Sequence, residues 1–216
     1  MKRYFFFTSL FCMAGCMLLA QKNKQQYPNP EYSNEIYLFK KDSATLMRLE
    51  KGSSKMETKM KMGGFGGGEN GYTLDEGKSP VRLKTGSNLS FIFYAGEVSS
   101  NLTPEADSAM KANGMSQTMQ MNPMSMLNDP AQTTSLYNMT SSKGKRKIIL
   151  MSAAGMKLLG KGKKESTKYM LSIKKIKEGY YEMIVDKPLS KGEYAFVVMS
   201  YSSMDGSYLL FAFGVD

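Results

Sequence analysis

The stretch Tyr169-Met170-Leu171-Ser172-Ile173-Lys174-Lys175-Ile176, followed by Lys177-Glu178-Gly179 and then Tyr180-Tyr181-Glu182-Met183-Ile184-Val185, decides the fold. In the first run Tyr169, Leu171 and Ile173 fall on one side, and Ser172 and Lys174 on the other. Beyond Gly179, Tyr181, Met183 and Val185 share a face. A period of two belongs to a strand, whose successive side chains leave opposite faces of a sheet; a helix would need apolar residues three and four apart. Two such runs about a glycine predict a β-hairpin with one buried face.

The same pattern recurs outward along the chain. Leu89, Phe91 and Phe93 alternate with Ser90 and Ile92 after the turn Thr85-Gly86-Ser87-Asn88. Glu35 to Lys41 and Thr45 to Lys51 flank Asp42-Ser43 as a second hairpin, with Leu46, Arg48 and Glu50 facing away from Thr45, Met47 and Leu49. Further strands are predicted at Tyr72–Leu74, Pro80–Lys84, Ser135–Met139, Lys147–Met151, within Pro188–Phe196, and at Tyr208–Val215. Lys55 to Met62 alternates less cleanly. The glycine run from Gly63 to Gly68 lacks the Gly-Lys-Ser/Thr ending of a phosphate loop, so it reads as a hairpin loop. Strands roughly ten residues apart, without an amphipathic helix, predict an all-β antiparallel fold, a sandwich or a barrel, of which we take the sandwich. Residues 98–132 interrupt it as a long Met/Ser/Asn-rich insertion, in which Pro104 to Lys111 reads as a short helix capped by Thr103. The β regions are then 35–97 and 133–216, and periodicity leaves open whether they are two domains or one.

The N-terminus reads as an export signal. Lys2 and Arg3 precede an apolar run from Tyr4 to Leu19, and Ala20 stands before a polar KNKQQ. The run falls short of the roughly 20 residues of a membrane span, and no later segment in the mature chain approaches that length. Residues 1–20 are therefore expected to be removed and 21–34 to form a flexible tether. Met13-Ala14-Gly15-Cys16 resembles a lipobox, which makes Cys16 the alternative, acylated N-terminus. Either way the mature chain holds no disulfide, and its stability must come from a packed core. The expected location is periplasmic, outer-membrane-associated or extracellular.

Composition removes whole classes of chemistry. With no His in the chain, Ser-His-Asp and Cys-His nucleophile systems and the common zinc sites have no basis. A paired-carboxylate hydrolase needs only two acids, but the acids here are scattered among lysines with no spacing that sets up a raised pKa. The chain reads as a non-enzyme without a cofactor.

Leu189-x-x-Gly192-x-Tyr194-x-Phe196 resembles the late hairpin of immunoglobulin-like sandwiches. That resemblance implies a buried Leu, a Gly turn and a Tyr that caps a corner through its hydroxyl. GEYAF (Gly192 to Phe196), FAFGVD (Phe211 to Asp216) and SPVRLK (Ser79 to Lys84) are also similar to an uncharacterised family of secreted Bacteroidota-type proteins. The likeness is scattered over residues 35–97 and 133–216, and implies export and a β fold, with an immunoglobulin-like C-terminal part, but no function.

Two features bear on function. Removing residues 1–20 lowers the formal charge from +10 to +8, and residues 143–177 hold twelve basic side chains against Glu165 alone, a local +11 that leaves −3 for the rest. Lys143, Lys145, Arg146, Lys147, Lys161, Lys163, Lys164, Lys174, Lys175 and Lys177 are the candidate polyanion contacts, in a field that salt would screen; lysines that merely guard strand edges are the competing reading. The second feature is Met119, Met121, Met124 and Met126, soft thioethers at M-x-M spacing that suit Cu(I), or serve as adaptable contact surface. The expectation is an exported, non-catalytic binding or structural module of the envelope. Its partner is an anionic envelope component or another envelope protein, and nucleic acid is excluded by export and the lack of interleaved stacking aromatics.

Overall fold

The hairpin forms over Leu171–Val185, with β11 (Leu171–Lys177) antiparallel to β12 (Tyr180–Val185) about Gly179, while Tyr169, expected at its start, belongs to a separate short strand of the other sheet. The hairpin is one edge of a five-stranded sheet in a computed structural model that describes residues 26–60, 67–85, 89–96, 129–154, 165–199 and 206–216. The remaining strands of that sheet are β7 (Ser90–Tyr94), β1 (Glu35–Lys40) and β2 (Thr45–Arg48), giving the order β11-β12-β7-β1-β2.

The second sheet has nine strands. Its path runs through β3 (Glu50–Lys55), β14 (Ser207–Val215), β13 (Gly192–Val198), β8 (Thr134–Ser142), β9 (Lys145–Ala154), β5 (Gly67–Asp75) and β4 (Glu57–Met60). Short β10 (Lys168–Tyr169) pairs with β8, and β6 (Arg82–Leu83) lies parallel to β14. Following the described strands in order, the chain passes between the sheets five times, and at two of these passages a single residue separates the strands: buried Leu49 between β2 and β3 and exposed Met170 between β10 and β11. Regions 35–97 and 133–216 thus share both sheets: β7 pairs with β12, β3 with β14, and β5 with β9.

Alternation along β13 and β14 sorts their side chains into two cores. Tyr194, Phe196, Val198, Phe211, Phe213 and Val215 face the five-stranded sheet, meeting Ile36, Leu38, Phe91, Phe93, Met183 and Val185. Phe91 sits 4.9 Å from the Phe196 ring and 5.2 Å from that of Phe213. Each such side chain contributes about 1.5–3 kcal/mol by leaving water. This is the sandwich core.

The opposite faces, through Ala195, Val197, Leu210 and Ala212, pack on Tyr72, Leu74, Met139 and Ile148. That contact exists because the large sheet curls until β5 returns to β3. The Thr73 amide donates to Ser54 Oγ at 3.0 Å, and Leu74 covers Gly52 so closely that a Cβ there would lie 2.6 Å from it. The curl thereby encloses a second core.

The corner expected before β13 is present. Leu189 is buried, and the Tyr194 hydroxyl donates to the Ser190 carbonyl at 2.7 Å. The three segments behind the family resemblance also converge. Arg82 of SPVRLK pairs with Glu193 of GEYAF and with Asp216 of FAFGVD, and its guanidinium lies where a Cβ on Gly214 would be.

The end of the expected 98–132 insertion is ordered: Pro130–Thr133 form a one-turn helix, α1, whose N-cap Asp129 accepts from the Ala131 amide. The helix proposed at Pro104 to Lys111 lies outside the described residues.

Candidate functional site

The basic segment that is continuous in sequence is divided in space. Lys143, Lys145, Arg146 and Lys147 belong to the β8–β9 hairpin of the large sheet, whereas Lys174, Lys175 and Lys177 lie on β11, at the edge of the other sheet. Helix α1, which leads into β8, packs against β11. Lys143 follows the far end of β8, a strand of nine residues, or about 30 Å of extended chain. The two lysine groups therefore occupy separate patches. Lys161, Lys163 and Lys164 lie outside the described residues.

Arg146 corrects the expectation of an exposed cation. It is fully buried inside the curl, where Nη1 donates to Glu50 Oε2 at 2.7 Å, Nη2 pairs with Glu50 Oε1, and both Nε and Nη2 donate to carbonyls of the β5 end. The reason is positional: Arg146, Ile148 and Leu150 point inward together, and a planar guanidinium with five donors can satisfy a carboxylate and two carbonyls at once. Lys145 pairs with Asp75 and Lys175 with Glu178. By contrast, Lys143, Lys168 and Lys174 are exposed and enter no ion pair among the described residues.

The outer face of the five-stranded sheet carries an arrangement that sequence reasoning missed. Phe39, Ile92 and Tyr180 form a small apolar patch there, bordered by Tyr94, Leu46 and Ile176. Residues 26–34, expected as flexible tether, cross this face as a strap. The Tyr27 ring stacks on Phe39 at 5.4 Å and meets Tyr180 edge-on at 6.1 Å. The Tyr180 hydroxyl donates to the Pro28 carbonyl at 2.7 Å, the Tyr32 amide donates to the Tyr37 hydroxyl at 2.9 Å, and Arg48 lies over the Tyr32 ring. The signal was the strap's own composition: two tyrosines among prolines are apolar surface that a solvated tether would leave wet.

Two buried carboxylates flank the strap. Glu182 accepts from Ser90 Oγ at 2.7 Å, Tyr27 Oη at 2.8 Å and Lys41 Nζ at 2.8 Å. Glu35 accepts from Arg48 Nε and Nη2, each at 3.0 Å, and from Lys51 Nζ at 3.1 Å. Burial pushes both carboxyls up, but the hydrogen bonds from Arg48 and Lys51 at Glu35, and from Lys41, Ser90 and Tyr27 at Glu182, outweigh it and hold both below the ordinary range. Burial and the Glu182 charge push the Tyr27 phenol to about 12. No family model matches the chain, and neither does any curated protein or solved structure. The site must be read from its own chemistry. Both acids are held ionised by fixed donors, so neither is tuned to give up a proton near neutrality. Ser90 is buried and already bonded to Glu182.

A shallow groove of about 250 Å³ open volume lies on the outer side of β4, β5 and β9, walled by Glu57, Lys59, Glu69 and Lys147. Among the described residues no three His, Cys, Asp or Glu side chains are grouped to hold a metal, and no helix is long and apolar enough to cross a membrane. Met119, Met121, Met124, Met126 and Cys16 lie outside the described residues.

Proposed function

We propose that this chain is an exported, non-catalytic module of the cell envelope that holds anionic envelope material through exposed lysines. The carrying observation is the unequal fate of its charges. Buried Glu35, Glu182 and Glu193 and half-buried Glu50 are tied into internal ion pairs, while Lys143, Lys168 and Lys174 are exposed and have no ion pair among the described residues. These four acids are spent on structure and not poised as general acids or bases, and the exposed lysines give a diffuse positive field. Lysines rather than arginines suit a field that attracts anionic surfaces without reading one phosphate geometry. The charged start at Lys2 and Arg3, the apolar run to Leu19 and the small Ala20 support the export half of the reading.

The division into two patches makes the test specific. Retention on lipopolysaccharide-coated beads is measured across a salt gradient for the parent, for Lys143→Glu with Lys147→Glu, and for Lys174→Glu with Lys177→Glu. The expected result is release at moderate salt, and earlier release for one pair of reversals than for the other. Elution unchanged by both pairs would sink the proposal.

A further inference from the structure

Tyr32 apart, the large apolar side chains exposed among the described residues are all methionines: Met56, Met60, Met151, Met170 and Met199, at 42–73% exposure. No Leu, Ile, Val or Phe is among them. Met139 and Met183 instead sit in the two cores, at 8% and 0%. The chain contains no Trp and no His, and its two cysteines, Cys12 and Cys16, both fall in the apolar N-terminal run. Of the side chains that two-electron oxidants attack readily, the mature surface therefore offers essentially the thioether, whose sulfoxide can be reduced back.

We infer that these surface methionines form a renewable sink for hypochlorous acid or a similar two-electron oxidant. The thioether sulfur donates a lone pair to the chlorine of HOCl and hydroxide leaves; water then adds at sulfur as chloride and two protons depart, one of which joins the hydroxide to form water. The net change is thioether plus HOCl to sulfoxide plus chloride plus a proton: sulfur loses two electrons and chlorine gains them. A thiol-dependent sulfoxide reductase returns the thioether, two thiols becoming a disulfide and the oxygen leaving as water.

The fold is suited to this because of where the sulfurs stand. Met56 lies between β3 and β4, Met170 at the passage between sheets, and Met199 just after β13. Met60 and Met151 face solvent on β4 and β9. Oxidation turns a flexible apolar side chain into a polar one, which disrupts a core but asks nothing of a side chain already in water. This proposal is independent of the lysine patches.

The experiment is a stepwise titration of the purified protein with hypochlorous acid, followed by peptide mapping and thermal denaturation at each step. The five exposed methionines should gain oxygen before Met139 and Met183, with the melting temperature unchanged until they are consumed. Incubation with a methionine sulfoxide reductase and dithiothreitol should restore all five in the folded protein. A variant with all five changed to Leu should take up five fewer equivalents before Met183 reacts; single Met→Leu variants serve if it does not fold. Oxidation of Met183 in step with the surface set, a melting temperature that falls as the first sulfoxides form, or resistance to the reductase would overturn the inference.

Discussion

Arg146 and Glu50 close the curl of the large sheet from within, a guanidinium without solvent exposure gripping a carboxylate brought from the strand that follows the first sheet switch. Removing one partner leaves the other charge stranded, which costs about 3–5 kcal/mol at a buried site. Glu50→Gln should therefore lower stability by about 3 kcal/mol, since Glu50 keeps some solvent. Replacing both, as Arg146→Met with Glu50→Leu, should recover most of the loss in urea denaturation.

The same pair gives an acid limit. Burial raises the Glu50 carboxyl, but the Arg146 hydrogen bonds outweigh it and hold it low; Glu35 and Glu182 are lowered likewise. A depressed folded pKa contributes stability above the unfolded value, near 4.3, and that stability is lost as pH falls through the folded value. Stability should be flat from pH 6 to pH 5 and fall below about pH 4. In Glu182→Gln that fall should be shallower, as monitored by the denaturation midpoint at each pH.

At the alkaline end the strap should fail first. Tyr27 and Tyr180 are each pushed to about 12 by burial, with the Glu182 charge adding to both. A raised folded pKa contributes stability below the unfolded value, near 10, and loses it as pH climbs through the folded one. Tyr27→Phe removes one hydrogen bond to a buried carboxylate and should cost about 1.5–3 kcal/mol. Limited proteolysis between residues 26 and 34 should become faster in that variant while the sheets stay resistant.

Gly179 makes the hairpin that opens the sequence argument. It holds φ at +65°, and a Cβ there would stand 2.0 Å from the Gly96 carbonyl oxygen. Gly179→Ala should therefore destabilise by more than the roughly 1 kcal/mol of a left-handed alanine alone, because backbone must move. Amide exchange across Ile173–Met183 would reveal it as lost protection.

The Tyr194 corner offers a milder test. Tyr194→Phe keeps the ring, stacked at 5.7 Å on Phe213, and deletes the hydroxyl with its hydrogen bonds to the Ser190 carbonyl and to the Ser190 and Tyr169 hydroxyls. The expected loss is about 1 kcal/mol in the denaturation free energy.

Legibility followed range. Period-two alternation gave β11, β12 and the β1–β2 hairpin, but ran through the sheet switches that cut Thr45 to Lys51 at Leu49 and Tyr169 from Leu171; the Leu189-to-Phe196 pattern located the Tyr194 corner, because it is decided by neighbours in sequence. The weak alternation of Lys55 to Met62 hid β4, whose four residues are all exposed and so carry no buried face to betray them. Arg146 was read as surface because charge in a sequence carries no sign of its partner, and Glu50 stands 96 residues away. The strap was missed for the same reason: Tyr27 finds Glu182 across 155 residues. Splitting the lysines between two sheets depended on where the chain crosses, at Met170, which no local pattern marks.

Strand β14 has a consequence for timing. It is flanked by β3 and β13 and touched by β6, so neither core is closed before Ser207–Val215 has arrived. A nascent chain carrying everything up to β13 still lacks Phe211 and Phe213 from one core and Leu210 from the other. Such long-range pairing makes folding slow relative to synthesis. If the chain is exported as proposed, that delay keeps it threadable through a translocation channel until Ser207–Val215 is released.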